Sequence, residues 1–225
     1  MKRLLFILAF ALTFVSCNRH SEHRNTLSNV ESYIVEHPDS ALIVLEQIDI
    51  SELSSKEERA KLALLLSMAL DKNYVDKTDF NVLQPAIDYY EDNGSATEKF
   101  QTYYLLGRIY QNQGNDTQAM IAYAQAKELL GGIDNHYLSG QLHTEIGNIY
   151  RSNYDYAKSL EAYKTAYDYY TAVGLESYAA YALLDIGLSY WNLEDNAKGI
   201  EYINEALQMA LQLLDEYLGV VCYQD

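Results

Sequence analysis

The feature that most constrains the fold of this chain is a short pattern that returns every 40 residues. Each copy has a large aliphatic residue, then a glycine and, three positions after the glycine, a tyrosine. The copies are Leu106-Gly107-x-x-Tyr110, Ile146-Gly147-x-x-Tyr150 and Ile186-Gly187-x-x-Tyr190. A fixed interval of this size is typical of repeat proteins, in which each copy is one supersecondary unit stacked on the next.

The second half of each copy keeps the same interval with small and large residues at matched positions. The small positions are Ala119, Ser159 and Gly199, then Ala126, Ala166 and Ala206, and the large ones are Tyr123, Tyr163 and Ile203. Small residues let two helices approach closely, and large residues fill the gaps between neighbouring ridges. We therefore predict one pair of packed helices in each copy.

These residues resemble the tetratricopeptide repeat (TPR) family. Gly107, Gly147 or Gly187 can be set as the eighth position of a repeat. The chain then matches almost all of the family's pattern, which is a large residue, Leu, Gly and Tyr in the first helix and a small residue, an aromatic residue and Ala in the second. The chain departs from the family in its longer period, where about 34 residues is usual. It also lacks a proline closing each repeat and has His143 at a slot for a large apolar residue. The resemblance implies an all-α fold, a right-handed α-solenoid of antiparallel helix pairs.

The repeat frame and the turn residues between helices predict the layout of the chain. Apolar residues at helical spacing precede the frame, and we interpret them as a divergent capping pair. Asp116 and Asp155 are predicted N-caps, Pro85 should kink or restart its helix, and another first helix should open after Gly219. The predicted segments are a capping helix pair at 26–50, a degenerate repeat at 55–92, repeats at 97–131, 135–173 and 177–216, and the start of a truncated further helix at 217–225.

The beginning of the chain has the layout of a bacterial export signal. Lys2 and Arg3 precede the apolar run Leu4–Val15, which is too short to span a membrane. The ending Phe14-Val15-Ser16-Cys17 resembles the lipobox of bacterial lipoproteins, in which the cysteine is acylated. The alternative is an ordinary cleaved signal peptide with an incidental cysteine.

This resemblance predicts how the protein is located and held. We expect a signal peptide at 1–16, a lipid anchor on Cys17 and a polar tether at 17–25. The protein would then lie in the envelope of a Gram-negative bacterium, anchored by lipid and facing the periplasm. The formal net charge of −16 argues against nucleic acid as a partner and against a direct electrostatic hold on anionic lipid.

No motif for catalysis or cofactor binding occurs in the sequence. It has no glycine-rich phosphate loop, no H-E-x-x-H, no G-x-S-x-G and no C-x-x-C. His20 and His23 are better explained by a solvated tether than by a metal site. His143 could act as a general base, but its slot faces the partner helix and favours a core histidine. Glu145 and Asp185 are interpreted as isolated acids. We therefore predict no enzyme, no metal and no cofactor.

The repeat frame also predicts a partner-binding surface. In stacks of helix pairs the first helices line the concave side, and residues one turn apart point into it. The predicted residues are Gln101, Tyr104, Arg108 and Gln111, then Gln141, Thr144, Asn148 and Arg151, then Tyr181, Leu184, Leu188 and Trp191.

Two interpretations of the charged residues on this surface stay open. Arg108, Asn148 and Arg151 could clamp a carboxylate or backbone carbonyls, while Tyr104 and Trp191 pack an apolar side chain. Alternatively, the two arginines only offset neighbouring acids, because surface ion pairs are common.

The leading hypothesis for function is a lipid-anchored, non-catalytic scaffold that binds a protein segment or peptide. The alternative is a periplasmic sensory domain for a small ligand, truncated before its output module. Because the frame stops after the last repeat, we also expect exposed apolar residues at that edge. Self-association would then use Ala206, Met209 and Leu213.

Overall fold

The structure is a computed structural model that describes the backbone of residues 23–222 and the side chains of residues 23–214. Every regular element in this range is a helix, and no strand occurs within it. The ten α-helices of the described range are α1 (residues 23–33), α2 (Pro38–Glu46), α3 (Lys56–Lys72), α4 (Gln84–Asn93), α5 (Ala96–Asn112), α6 (Asp116–Leu129), α7 (His136–Ser152), α8 (Tyr156–Ala172), α9 (Glu176–Asn192) and α10 (Asn196–Cys222). The predicted signal peptide, Cys17 and most of the predicted tether lie outside the described residues.

The chain divides into two compact units between Ala119 and Met120, inside α6. In the first unit α2 packs on α3, α3 packs on α4 and α5, and α4 packs on α5. The core of this unit joins the N-terminal helices to α3 and consists of Leu27, Val30, Ile34, Ala41, Leu45, Leu53, Leu62, Leu65 and Ala69. The apolar residues before the repeat frame are therefore buried, as their helical spacing predicts.

Helix α1 includes residues 23–25, which the sequence assigns to the polar tether. Two side chains at its start contact the folded unit. His23 Nε2 lies 3.4 Å from Glu52 Oε2, and Arg24 Nε lies 3.9 Å from Glu58 Oε1. These contacts explain why the helix includes polar residues that have no apolar period.

In the second unit α7 packs against α8, α8 against α9, and α9 against α10. A buried cluster joins α8 and α9 through Ala166, Tyr170, Ala179 and Ala182, and Met209 of α10 packs against it. The alanines at this contact let the helix backbones approach closely while the tyrosine fills the remaining space.

The 40-residue period is also present in the backbone of the turns that join the helices of each pair. One residue with positive φ occurs at the same place in each repeat: Tyr74 (58°), Gly114 (72°), Tyr154 (62°) and Glu194 (65°). The next residue donates its N–H to the carbonyl five residues back, at 2.9 to 3.0 Å in all four turns. This is the Schellman motif, which ends a helix with a left-handed residue.

Three of these turns also carry a matched cap for the second helix. Asn115, Asp155 and Asp195 each accept a hydrogen bond from the backbone N–H three residues later. The predicted N-cap at Asp155 is confirmed. The predicted N-cap at Asp116 is wrong by one residue, because Asn115 makes the capping bond and Asp116 is already helical.

The repeat at α3 and α4 differs from the others for a physical reason. Val75 stands where the later repeats have Asn or Asp, so no side chain can cap a helix there. The second helix begins only at Gln84, with Pro85 in its first turn, where the missing N–H costs nothing. Of the two effects predicted for Pro85, the structure shows a restarted helix and not a kink.

Two of the framed glycines sit at close contacts between paired helices, as predicted. A Cβ atom on Gly147 would lie 2.6 Å from the ring of Tyr163. A Cβ atom on Gly187 would lie 2.7 Å from the side chain of Ile203 and 3.0 Å from the carbonyl oxygen of Gly199. A methyl group at either position would therefore force the neighbouring atoms to shift.

His143 is a core residue, as predicted. It is 9% exposed, and its ring stacks on Tyr169 of α8 with the centroids 5.6 Å apart. Its Nδ1–H donates to the carbonyl oxygen of Ser139 at 2.8 Å. Burial lowers the pKa of His143, and the hydrogen bond to Ser139 acts to raise it. The nearby charge of Lys127 also acts to lower the pKa.

Helix α10 continues to Cys222, past Gly219, after which the sequence predicts the start of another helix. A single glycine inside a helix costs only about 1 kcal/mol relative to alanine. The leucines and valines around it favour continuing an amphipathic helix over stopping. The predicted further helix is therefore replaced, as far as Cys222, by an extension of the preceding one.

Candidate partner-binding face

In the second unit, the first helices of the two repeats lie side by side. Tyr137 of α7 and Tyr178 of α9 form an edge-to-face ring contact, with centroids 5.3 Å apart. Near the other end of the helices, Arg151 Nη1 of α7 donates to Asp185 Oδ1 of α9 at 2.6 Å. The surface that the sequence predicts from the first helices is therefore formed in this unit by α7 and α9. We call it the α7/α9 face.

The α9 half of this face is an exposed apolar row. Tyr181 is 70% exposed, Leu184 37%, Leu188 36% and Trp191 50%. Their spacing of three, four and three residues places them on one side of the helix, over a length of about 15 Å. The residues on the opposite side of α9, including Ala182, are buried. The row is thus a continuous surface feature and not part of the core.

The α7 half of the face is a hydrogen-bonded polar network. Arg151 Nη2 donates to Asn148 Oδ1 at 3.2 Å, and Tyr163 of α8 donates to the same oxygen at 2.8 Å. Asn148 Nδ2 in turn donates to Glu145 Oε2 at 3.1 Å. The guanidinium of Arg151 also lies over the ring of Tyr163, 5.6 Å from its centroid. These bonds fix the side chains that border the apolar row.

The network also contains ionisable side chains from both helices. Arg151 is paired with Asp185, and the charge of Glu145 acts on Asp185 across the two helices. Burial raises the pKa of Asp185, while the charge and hydrogen bond of Arg151 act to lower it. Burial is therefore the largest influence on this carboxylate.

The interpretation of Glu145 and Asp185 as isolated acids is wrong. They occupy the same slot of consecutive repeats, 40 residues apart, and the charge of Glu145 acts on Asp185, which is itself paired with Arg151. The repeat period contained this signal, because equal positions in neighbouring repeats form a column along one face.

The structure favours the second interpretation of the arginines. Arg151 is held by Asp185, and Arg108 in the first unit donates from Nε to Asp71 Oδ1 of α3 at 2.8 Å. Both guanidiniums therefore balance acids of the protein itself. A carboxylate clamp on this surface would have to break or share those ion pairs.

Two predicted face residues have other surroundings than expected, and the three glutamines are half-buried. Tyr104 is only 8% exposed and stacks on Phe100, so it is a core residue and not a surface anchor. Thr144 Oγ1 donates to the carbonyl oxygen of Gly140 at 3.1 Å and lies 3.3 Å from the hydroxyl of Tyr170, so it is directed toward α8. Gln141 is half-buried on α7. In the first unit, Gln101 and Gln111 are half-buried on α5.

The residues predicted for self-association lie inside the second unit. Ala206 is buried, and Met209 packs against the core cluster of α8 and α9. Leu213 is half-buried. Among the α10 side chains that the structure describes, up to residue 214, the exposed large apolar ones are Ile200, Leu207, Leu211 and Leu214. Self-association through α10 stays a prediction.

Two further findings concern the described residues alone. Within residues 23–222, no group of three or more His, Cys, Asp or Glu side chains is arranged to hold a metal ion. In the same part of the chain, no helix combines the length and apolar character that a membrane span needs.

Comparison with known proteins supports a helix-pair repeat protein. The family model described as tetratricopeptide repeat matches residues 100–129 and 180–212. The first match covers most of α5 and α6, and the second covers parts of α9 and α10. These two segments therefore match tetratricopeptide repeats. No curated protein sequence matches it.

Solved structures with the same fold are distant in sequence. BtubC (BKLC) from P. vanneervenii is 15% identical with a TM-score of 0.58, and the match covers 94% of this chain and 86% of that one. The MamA protein is 16% identical with a TM-score of 0.54, covering 86% and 94%. Nearly identical TPR-like repeats from Podosopora anserina are 14% identical with a TM-score of 0.59, covering 86% and 97%. The predicted all-α, TPR-like α-solenoid fold class is confirmed.

Proposed function

We propose that this protein is a non-catalytic TPR scaffold that binds a protein segment through the α7/α9 face. The observation that carries the proposal is the apolar row on α9. Tyr181, Leu184, Leu188 and Trp191 are exposed side by side, although the opposite side of the same helix is well packed. Exposed apolar residues that form one patch mark interaction surfaces more often than scattered ones do.

The composition and size of the row fit a peptide segment. Tryptophan and tyrosine are enriched among the residues that dominate binding energy at protein interfaces. A row of about 15 Å matches about three turns of a helix or about five residues of an extended strand. The polar network of Arg151, Asn148 and Glu145 beside it supplies a rim that can form hydrogen bonds.

The proposal is tested with a partner recovered by pull-down of the full-length protein. Replacing Leu188 or Trp191 with alanine should weaken its affinity by about tenfold or more, because anchor residues carry about 2 kcal/mol each. Glu161→Ala, an exposed change on α8 in the same unit, is the matched control and should leave affinity unchanged. Equal affinities for all three variants and the wild type would place the binding site elsewhere.

We further propose that the scaffold is held in the cell envelope by a lipid on Cys17. The support is the sequence pattern before this residue, which lies outside the described part of the chain. Cys17→Ala should release the protein from membranes or change its processing, as seen by fractionation and gel mobility. Retention of the variant in the membrane with unchanged mobility would contradict the anchor.

A further inference from the structure

We propose that the segment bound by this protein is an amphipathic helix of another protein, and that it lies across α9 and α10. The bound helix takes the place relative to these two helices that α9 takes relative to α7 and α8. The inference rests on the proposed function, because Trp191 belongs to both surfaces. It adds the secondary structure of the partner and the kind of side chain that faces Trp191.

The first argument is the way α9 is held in the second unit, where it contacts both helices of the preceding repeat. Asp185 of α9 accepts a hydrogen bond from Arg151 of α7 at 2.6 Å. The ring of Tyr178 lies against that of Tyr170 of α8, with the centroids 5.2 Å apart. Tyr167 of α8 packs against the buried cluster that α8 and α9 share. Arg151, Tyr167 and Tyr170 are thus three residues through which one repeat holds the first helix of the next.

The second argument is that the same three slots are exposed one repeat later. Forty residues on, they contain Trp191, Leu207 and Ala210. Trp191 is 50% exposed and Leu207 55%, and Ala210 is exposed as well, whereas Tyr170 is 3% exposed. The slots that hold a helix in one repeat therefore present apolar surface in the next. This surface, which we call the α9/α10 surface, fits a further helix packed in the same way.

The third argument concerns the chemistry of the bound helix. The residue that faces Arg151 is an acid, Asp185. At the equivalent slot of the α9/α10 surface an indole stands in place of the guanidinium, and an indole cannot balance the charge of a carboxylate buried beside it. The partner should therefore have an apolar residue where α9 has Asp185. A different protein is favoured over a second copy, because two copies that each carry a formal net charge of −16 repel each other.

The test uses the full-length protein and a labelled peptide that copies α9. The peptide has the sequence of Glu176–Asn192 with Asp185→Leu. It also carries Leu184→Lys and Leu188→Glu, joined as a lactam on the exposed side of the helix, because a short peptide is only marginally helical in water. Fluorescence anisotropy should show it binding about tenfold tighter than the same peptide with Asp185 retained. Equal or tighter binding of the peptide that retains Asp185 would overturn the inference.

A pair of protein variants locates the bound helix. Leu207→Ala should weaken binding of the Asp185→Leu peptide about fivefold, because Leu207 stands where Tyr167 packs in the preceding repeat. Ile121→Ala is the matched control, since Ile121 is 50% exposed and its slot is also exposed in the next two repeats, at Glu161 and Glu201. It should leave the affinity unchanged, and circular dichroism checks that both variants remain helical. Equal losses for the two variants would show unspecific apolar adsorption and overturn the inference.

The outcomes separate this inference from the proposed function. If the peptide does not bind, the inference is wrong, and the partner assay with Leu188→Ala and Trp191→Ala still judges the α7/α9 face. Loss of partner binding in Trp191→Ala but not in Leu207→Ala would leave the proposed function in place and overturn the position across α10. If light scattering shows a dimer that Leu207→Ala dissociates, a second copy covers the surface and the inference is also wrong.

Discussion

At the scale of single residues, His143 shows how the repeat frame decides a residue's role. The equivalent position in the next repeat is Leu183, which is 1% exposed. His143 is buried at the same place, and its ring forms a hydrogen bond within its own helix by donating to the carbonyl of Ser139. The slot therefore makes a core residue of a side chain that could otherwise act as a general base.

Burial of this imidazole predicts a pH dependence of stability. The pKa of His143 is lowered in the folded protein, so the unfolded chain binds a proton first as pH falls through its usual value of about 6.5. Stability linked to His143 is thus present above that pH and is lost as pH falls toward the lowered pKa. In urea unfolding between about pH 8 and pH 5, His143→Leu should lose less stability than the wild type. Parallel losses in the two proteins would show that His143 does not contribute.

The close contact at Gly187 predicts a cost for even one methyl group. A Cβ there meets the backbone at Gly199, which cannot move aside as a flexible side chain could. Gly187→Ala should lower the free energy of unfolding by about 1–3 kcal/mol despite alanine's better helix propensity. Gly131 is the matched control, because a Cβ added there would have no neighbour within 4 Å and its φ is not positive. Gly131→Ala should be neutral or slightly stabilising, and equal effects at the two positions would contradict the packing argument.

At the scale of elements, the turns repeat more faithfully than their sequences do. The left-handed position is a glycine only at Gly114, while Tyr74, Tyr154 and Glu194 adopt the same conformation. Because residues with a Cβ are strained there, the surrounding hydrogen bonds must hold them in place.

Exchanging residues at these turns gives a reciprocal test. Glu194→Gly should stabilise the protein by about 0.5–1 kcal/mol, since the strain of a left-handed residue outweighs the entropy of glycine. Gly114→Ala should destabilise it by about 1 kcal/mol for the same reason. Thermal unfolding measures both changes. Effects of the same sign would show that backbone strain does not control these turns.

Much of the helix layout could be predicted from the sequence, because the period fixes which residues must be small, large or capped. The predicted close approach at Gly147 and the cap at Asp155 follow from local spacing alone. The late start of α4 and the continuation of α10 past Gly219 could not be predicted, since each depends on competition between weak local preferences.

At the scale of the whole molecule, the candidate face could be predicted only in part. The residues that the period places on one side of α9 are exposed there, because their spacing is helical. The period did not predict that Tyr104 is buried, and the sequence left open whether Arg151 pairs with an acid of the chain, since both depend on contacts between helices.

The central claim is that the α7/α9 face binds a protein segment, and Trp191 provides a direct test because it is the only tryptophan in the chain. Replacing it with 5-fluorotryptophan gives one fluorine resonance, which an unlabelled partner cannot obscure. In the free protein the resonance should show the solvent-isotope shift of a half-exposed ring. With the partner bound, it should move and lose that shift, because the ring is buried. A resonance that stays unchanged while light scattering shows the complex has formed would contradict the account.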